Sequence, residues 1–362
     1  MRRWLCISAA VLVCAFPARA EEAEKENPLA HFLFGGTLEG YYEHNDNDPH
    51  TGLNDLRSYD QRDDSFGFQQ ATVVIESPVD VDDGRRWGAR VDLQFGQATD
   101  TLQGNPANEP RPETWRNVWQ AYGTYVFGLG NGLTTDFGKF GSNLGYETNY
   151  AKDNNNFTRA LLFQFLPFYH MGLRLSYPVT GRLTAMYMLT NGAQQTDDFN
   201  DRKASHLSLV WKPVDALSWT ASYFTSQEPA GDLDIVDTYA SYALGTAWSF
   251  GLDLNHTTLE DLSLDGIGAY ARWQGSSPFA LAVRYEHLDD EGLFAGVDET
   301  LQEGTVTAEY KFEDGFLLRA ELRRDWSDRD AFTGSDPAVQ HDTQDTALLG
   351  FVWWFGNKKG AW

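Results

Sequence analysis

The stretch Trp87-Gly88-Ala89-Arg90-Val91-Asp92-Leu93-Gln94-Phe95-Gly96-Gln97 decides the fold class. Large or apolar residues occupy every second position from Trp87 to Phe95, and small or polar residues fill the positions between them. A period of two puts successive side chains on opposite faces of an extended chain. The pattern therefore predicts a β-strand with one apolar face and one polar face that carries charges.

The same alternation recurs along nearly the whole chain and predicts further strands. Counting outward from this stretch in both directions gives sixteen segments. Their predicted spans are 32–43, 66–77, 87–97, 116–127, 132–140, 169–178, 181–191, 204–212, 216–226, 235–244, 246–256, 264–274, 278–288, 302–312, 315–326 and 344–355.

The connections between these segments alternate between short and long. The long ones are predicted at 44–65, 98–115, 141–168, 192–203, 227–234, 257–263, 289–301 and 327–343. Bacterial outer-membrane barrels have an even strand number, short periplasmic turns and longer extracellular loops. The sequence therefore predicts an all-β protein, a transmembrane antiparallel up-and-down β-barrel of about sixteen strands with both ends in the periplasm.

The first twenty residues have the layout of a secretory signal peptide. Arg2 and Arg3 precede a short apolar run, and Ala18-Arg19-Ala20 supplies small residues before a cleavage point. A lipoprotein would need a small residue before Cys14, where Val13 stands. The predicted organisation is a signal peptide at 1–20, a periplasmic leader at 21–31, a barrel at 32–355 and a tail at 356–362.

Composition agrees with a barrel and excludes some functions. Aromatic residues make up 14% of a chain whose mean hydropathy is only −0.45, which is typical of aromatic girdles around a polar lumen. The net charge of −24 argues against nucleic-acid binding, which needs a cationic surface. The acidic loops suit solvated chain or divalent cations, but no residues have metal-site spacing, so no cofactor or metal site is predicted.

The last predicted strand ends in alternating aromatics, Phe351, Trp353 and Phe355. Outer-membrane barrels commonly end in such a strand, whose terminal aromatic is the signal for the barrel-assembly machinery. Because a tail follows, either Phe355 or Trp362 could be that signal. The other expected partners are outer-membrane lipid and lipopolysaccharide.

Several motifs resemble one family. Gln120-Ala121-Tyr122, the run from Gly128 to Phe140, and Gly145-Tyr146-Glu147 resemble the OmpL-like β-barrel porin family, and Arg90 to Gly96 and Thr190-Asn191-Gly192 fit the same pattern. The resemblance implies a bacterial outer-membrane porin in the cell outer membrane, with an undefined solute. By analogy with porins of this strand number, it also implies a homo-trimer.

Alternation places many charged residues on inward, pore-lining faces, and a bulge near Gly138 would add Lys139 to them. Opposed arginines and carboxylates across a pore select charged or dipolar solutes, and the arginine excess predicts a preference for small hydrophilic anions. The alternative is simple solvation, because an Arg facing lipid costs ~2–4 kcal/mol near the midplane. The predicted pore-lining residues are Arg90, Asp92, Asp136, Lys139, Arg174, Arg182, Arg272, Arg284, Glu309, Arg319, Glu321 and Arg323.

The longest predicted loop, 141–168, contains an apolar run from Ala160 to Phe168. Apolar residues in an external loop favour burial, so we expect this loop to fold into the barrel mouth as a constriction or plug. Subunit contact and strand extension are the alternatives. The expected constriction residues are Asn149, Tyr150, Lys152, Asp153, Phe157 and Arg159.

Three functions remain open from the sequence. The first is a passive diffusion porin, and the second is a plugged or structural barrel such as an adhesin or surface scaffold. The third is an outer-membrane hydrolase, which would need a serine beside His170 or His206. The histidines are scattered and the glycines at 128–132 fit a turn better than a phosphate loop. No catalytic residue is therefore predicted.

Overall fold

The structure is a computed structural model that describes residues 31–103, 109, 111–198, 200–275 and 278–362. The chain divides into two units, Met1–His31 and Phe32–Trp362. The predicted signal peptide and the predicted leader up to residue 30 lie outside the described residues. All the strands of the described residues lie in the second unit.

In the described part of the chain, sixteen antiparallel strands close into one barrel, which confirms the predicted fold class and strand number. The barrel strands are β1 (Leu33–Asn45), β2 (Ser65–Ser77), β3 (Trp87–Phe95), β4 (Val118–Phe127), β5 (Leu133–Gly141), β6 (Tyr169–Thr180), β7 (Leu183–Thr190), β8 (Ala204–Val214), β9 (Leu217–Glu228), β10 (Gly231–Leu244), β11 (Trp248–Leu259), β12 (Leu262–Gln274), β13 (Phe279–Glu291), β14 (Asp298–Glu313), β15 (Phe316–Ser327) and β18 (Thr343–Gly356). Two short strands, β16 (Phe332–Thr333) and β17 (Gln340–His341), pair separately within the last loop.

Closure is made between β1 and β18, which pair from Gly35 opposite Gly356 to Asn45 opposite Thr346. Each remaining barrel strand pairs with the strands before and after it around the sheet. A closed barrel satisfies the backbone groups of every strand within the sheet, which is what a hydrocarbon environment requires.

Side chains alternate between the two faces as the sequence predicts. On β13, Phe279, Leu281 and Val283 are exposed on the outer face, whereas Arg284 and Glu286 are buried inside. Other strands follow the same rule, so large apolar side chains cover the outside and polar side chains fill the interior. The outer face is therefore the lipid-contacting surface.

The helices are short and lie in the loops. They are α1 (Gln97–Gln103), α2 (Pro112–Trp115), a 3₁₀ turn at Ala151–Asp153 and α3 (Leu161–Phe165). Among the described residues, no helix combines the length and apolar character needed to cross a bilayer.

Two predicted long loops, 227–234 and 257–263, are tight hairpins instead. Gly231 pairs with Glu228, and Leu262 pairs with Leu259, so β9 to β12 extend past the predicted ends. Beyond the apolar band, an outward side chain can be polar, and Tyr223 donates to Asp234 there at 2.6 Å. The alternation of apolar and polar residues therefore stops before the strands do.

Candidate functional site in the barrel lumen

The loop between β5 and β6, residues 142–168, folds into the barrel and contacts its inner wall. Its first part meets carboxylates of three strands through main-chain N–H groups. Gly145 N donates to Asp237 Oδ1 at 2.9 Å, and Tyr146 N donates to Asp253 Oδ2 at 2.9 Å. Ala151 N donates to Glu39 Oε1 at 3.0 Å.

The second part of the loop is held in the same way. Glu321 accepts from Phe157 N at 2.8 Å and from Thr158 N at 3.1 Å. Glu286 accepts from Leu161 N and, at 3.3 Å, from Leu162 N. Each of these wall carboxyl groups accepts from main-chain N–H groups that burial would otherwise leave without a partner, so together they fix the path of the loop.

Wall arginines bind the loop carbonyls. Arg319 donates to Ala151 O at 2.7 Å, to Asn154 O at 2.6 Å and to Asn156 O at 2.9 Å. Arg284 donates to Thr158 O and Arg323 donates to Arg159 O, at 2.8 and 2.6 Å. The inward arginines of β13 and β15 therefore bind the loop, whose carbonyl oxygens accept hydrogen bonds from the guanidinium groups.

The same arginines also pair with wall carboxylates. Arg284 lies 2.7 Å from Glu303, and Arg319 lies 2.8 Å from Glu309. Buried charges are tolerated when they are paired and hydrogen-bonded, and both conditions hold here.

Arg159 stabilises the shape of the loop from within. Its guanidinium is fully buried and donates to Asn149 O at 2.8 Å and Phe157 O at 2.6 Å. It also lies 4.7 Å from the centre of the Tyr59 ring, in a cation–π geometry. Arg159 thus joins two turns of this loop to Tyr59, which belongs to the loop of residues 46–64.

The apolar run of the loop is buried against the upper wall. Leu161 and Leu162 of α3 belong to a fully buried cluster on the side of β12 to β14, completed by Leu264, Leu288, Leu301 and Phe332. Leu144 and Leu166 pack on the other side with Ala193, Ala204, Phe224 and Ile235. Packed apolar side chains therefore occupy part of the lumen beside the strand ends that carry the long loops.

A second loop, residues 46–64, also folds inward, which sequence reasoning missed. Tyr59 Oη donates to Asn149 Oδ1 at 2.7 Å, and Arg57 lies 2.6 Å from Asp325 on the wall. Burial disfavours the charge of Arg57, but Asp325, Asp60 and Glu43 outweigh it and raise the pKa of the guanidinium. A loop lacks the alternation of a strand, so no sequence pattern identified Arg57 and Tyr59 as inward-facing.

Among the residues that the structure describes, two cavities lie beside the loop, and several predicted pore-lining residues face them. The first, of about 340 Å³, is lined by Arg90 and Arg174, which pair at 2.8 Å with Asp92 and Asp136 respectively. Tyr150 Oη also donates to Asp92, at 2.6 Å.

The second cavity, of about 370 Å³, is lined by Arg272, Glu309 and Arg319 of the wall and by Lys152 and Asp153 of the loop. Arg272 lies 2.8 Å from Glu309, and Lys152 lies 2.8 Å from Asp153. The 3₁₀ turn therefore brings a charged pair of the loop to the same space as the wall charges.

Two predicted pore-lining residues lie elsewhere. Arg182 lies past the end of β6, exposed in the turn before β7, where it donates to Pro213 O. No register shift interrupts the described pairing of β4 with β5 near Gly138, so Lys139 has the opposite orientation to Asp136. Lys139 is buried with its ammonium 3.9 Å from the Tyr169 ring centre, so the expected bulge is wrong.

The structure brings His170 and His206 together, with ring centres 6.0 Å apart. Ser142 Oγ lies 3.2 Å from Nε2 of His170, and Gly192 O lies 3.3 Å from its Nδ1. Both rings are fully buried, and a backbone carbonyl stands where a catalytic relay has a carboxylate. His170 and His206 are therefore packed as a pair of buried polar side chains.

Sequence reasoning also missed most of the inward acidic residues that accept from the loop or pair with the arginines around it. They share the inward orientation that identified the arginines, so the signal was present in the alternation. The missed residues are Glu39, Asp237, Asp253, Glu286, Glu303 and Asp325.

A sixteen-stranded closed barrel with an apolar outer surface, a polar interior and a long loop folded into the lumen defines the class of outer-membrane porins. The chain belongs to the family described as "Putative beta-barrel porin-2, OmpL-like", whose model matches residues 31–355. This match confirms the family resemblance and the outer-membrane location.

Solved structures share the fold at low sequence identity. The outer membrane channel DcaP of Acinetobacter baumannii is 12% identical, with a TM-score of 0.62 over 90% of this chain and 97% of that chain. An anion-selective porin from Comamonas acidovorans is 13% identical, with a TM-score of 0.61 over 90% and 99%. Vibrio cholerae OmpT in its trimer form is 13% identical, with a TM-score of 0.55 over 90% and 99%. No curated protein sequence matches the chain.

Proposed function

We propose that this porin-family barrel is a narrow channel for passive diffusion of small hydrophilic solutes. The observation that carries the proposal is the pair of cavities beside the inward loop, both lined by charged side chains. Paired charges on a pore wall order water and lower the cost of entry for polar solutes. The sizes of the two cavities, about 340 and 370 Å³, suit small solutes.

We further propose a preference for anions. Four cationic residues, Lys152, Arg272, Lys311 and Arg319, line the second cavity against two carboxylates, Asp153 and Glu309. The first cavity has arginines that are each matched by one carboxylate. Lys311 also pairs with Asp314 at 2.7 Å, which leaves an excess of one positive charge at the second cavity. This excess supports anion passage, and the Comamonas protein, described as anion-selective, agrees with it.

Planar-bilayer recording of the purified protein tests both statements. We expect small discrete conductance steps and, under a salt gradient, a reversal potential of the sign given by anion preference. Absence of any discrete conductance would overturn the channel, and a cation preference would overturn only the selectivity.

A second candidate, a plugged or structural barrel, rests on a different observation. The buried clusters around Leu161 and Leu166 fill space that a wide pore would leave to water. Normal solute uptake by cells that lack the protein, with altered surface adhesion, would favour this candidate. A hydrolase is not proposed, because the His170 ring beside Ser142 is fully buried; hydrolysis lost on His170→Ala would contradict us.

We also propose three partner and processing events. Phe355 is the last aromatic residue of β18 and lies on the outer face, 60% exposed, whereas Trp362 packs inside, so Phe355 is the assembly signal. Phe355→Ala should then lower barrel yield in the outer membrane, and Trp362→Ala should not.

Residues 1–20 are removed on export, which N-terminal sequencing of the mature protein tests. A homo-trimer, the form recorded for Vibrio cholerae OmpT, is checked by cross-linking in native membranes.

A further inference from the structure

The segment after the last strand turns back into the barrel. Gly356 has a φ of +111°, and a Cβ there would lie 2.1 Å from Phe34 O, so the reversal requires glycine. Asn357 N and Lys358 N both donate to Phe34 O, at 2.9 and 3.1 Å. Asn357 Oδ1 accepts from Phe34 N at 2.6 Å, which fixes the turn to the rim of β1.

Residues 357–362 then reach the underside of the inward loop. Lys152 Nζ donates to Gly360 O at 3.0 Å, and Trp362 N donates to Asp153 Oδ2 at 3.0 Å. Lys152 Nζ also lies 4.6 Å from the centre of the Trp362 ring. The contact therefore combines two hydrogen bonds to charged groups with a cation–π interaction.

The Trp362 ring lies in a shaped recess. The Tyr150 ring contacts it edge-on, with ring centres 5.8 Å apart. Gly35 of β1 leaves room on the other side, because a Cβ there would lie 2.6 Å from Cη2 of Trp362. Gly35 lies at the end of β1 opposite Gly356, which is the predicted periplasmic end of the barrel.

The recess adjoins both cavities of the lumen. Trp362 lines the first cavity with Arg90 and Arg174. Its partners Lys152 and Asp153 line the second with Arg272. The contact therefore borders both of the cavities on which the proposed channel rests.

We propose that the recess formed by Gly35, Tyr150, Lys152 and Asp153 is a docking surface whose occupant is residues 357–362. The docked segment acts as a strap that narrows the periplasmic exit and holds the inward loop from below. The inference rests on the proposed channel function. It adds a second constriction, on the opposite side from the loops, made by the segment that follows the barrel.

Single-channel recording of the full chain tests the strap. Trp362→Ala removes the ring, and we expect the mean conductance to rise roughly twofold, because conduction through a narrow pore follows its free cross-section. Trp362→Phe should restore most of the restriction. Ala361→Ser, an exposed change in the same segment, is the matched control and should conduct like the wild type.

A peptide added in trans provides an independent test. A chain ending at Gly356 should conduct more, and the peptide Asn-Lys-Lys-Gly-Ala-Trp added on the periplasmic side should restore the lower conductance. We expect this at roughly millimolar peptide, because a short tether supplies an effective concentration of that order. The same peptide with alanine for tryptophan should have no effect, and neither should addition on the extracellular side.

The outcomes separate the two proposals. If the wild type conducts and the variants conduct equally with no response to peptide, the strap is refuted and the channel stands. If neither the wild type nor the shortened chain conducts, the channel itself fails.

Thiol labelling decides the case in which the shortened chain fails to assemble. Ser142→Cys places a single thiol in the first cavity, which Trp362 also lines, and leaves the partners of the strap in place; the chain has no other cysteine after Cys14. A small thiol reagent should modify this introduced thiol faster when Trp362→Ala is added. An equal rate in the two backgrounds would refute the strap.

Discussion

Two groups of inward arginines have the same alternation in sequence and different surroundings in the barrel. Arg284, Arg319 and Arg323, on β13 and β15, are buried and donate to carbonyls of the inward loop. In the other group the side chains keep some exposure to the cavities, with 11% for Arg90, 19% for Arg174 and 22% for Arg272. The first group therefore forms an interface with the loop, whereas the second group borders the open space of the cavities.

The difference has an energetic meaning. A charge removed from water costs several kcal/mol unless partners replace its hydration. On the β13 and β15 wall, loop carbonyls and wall carboxylates are those partners, so losing one buried arginine leaves polar groups without a replacement. On the cavity wall, water can replace a lost partner, so the same change affects the field in the pore more than the stability.

The largest effect is expected from Arg319→Ala. It removes the donor to Ala151, Asn154 and Asn156 and leaves those carbonyls buried, so we expect a loss of ~3–5 kcal/mol in the free energy of unfolding. Urea unfolding of the protein in lipid vesicles measures this loss.

Arg324→Ala on the same strand is the matched control. Arg324 faces outward, 59% exposed, and its pair with Asp345 should contribute ~1 kcal/mol or less. Equal losses for the two variants would contradict the comparison.

Glu321→Gln should have an intermediate effect. The carboxylate accepts from Phe157 N and Thr158 N, and an amide keeps only one accepting oxygen, so we expect a loss of ~1–3 kcal/mol. Faster proteolysis of the loop in folded protein would accompany it, since the loop is released from the wall. Glu291→Gln is the control, because Glu291 accepts from Ser263 N at 2.8 Å on the exposed face. A smaller loss for Glu321→Gln than for Glu291→Gln would count against the docked loop.

Alternation predicted the barrel well because the bilayer imposes it. Lipid on one side and polar groups on the other leave a period of two in each strand, and the loop lengths sort by side. The prediction lost accuracy where the bilayer ends, as at Gly231 and Leu262, because outward side chains there no longer need to be apolar.

Alternation could not predict what meets an inward side chain. Arg284 and Arg174 have the same orientation, yet one meets loop carbonyls and the other a cavity. That difference depends on the fold of the loop, which carries no periodicity, and the same reason hid Tyr59. The Ala160 to Phe168 run did indicate burial, since apolar residues avoid water wherever the chain places them.

Arg174→Gln tests the cavity side of the comparison. Because 19% of the Arg174 side chain is exposed, water can replace part of its lost contacts, and we expect a smaller loss of stability than for Arg319→Ala. The variant leaves Asp136 unmatched beside the cavity, so the reversal potential should shift toward cations. Asp136→Asn should shift it toward anions, which makes the two variants controls for each other. Shifts of the same sign for both would show that this pair does not face the conducting path.

The smallest effect is expected for Asp197→Asn, in an external loop outside both groups of inward arginines. Arg111 hydrogen-bonds Asp197 at 2.6 Å between two external loops and lowers the pKa of its carboxyl. A lowered folded pKa means that the contribution is present above the pKa of an unfolded aspartate, about 3.9, and is lost as the pH falls through the folded pKa. With Arg111 61% exposed, that contribution should be small and weaken further in high salt. Unfolding titrations at neutral and acid pH, at low and high salt, measure it. A loss as large as that of Arg319→Ala would mean that exposure to solvent does not separate these charges.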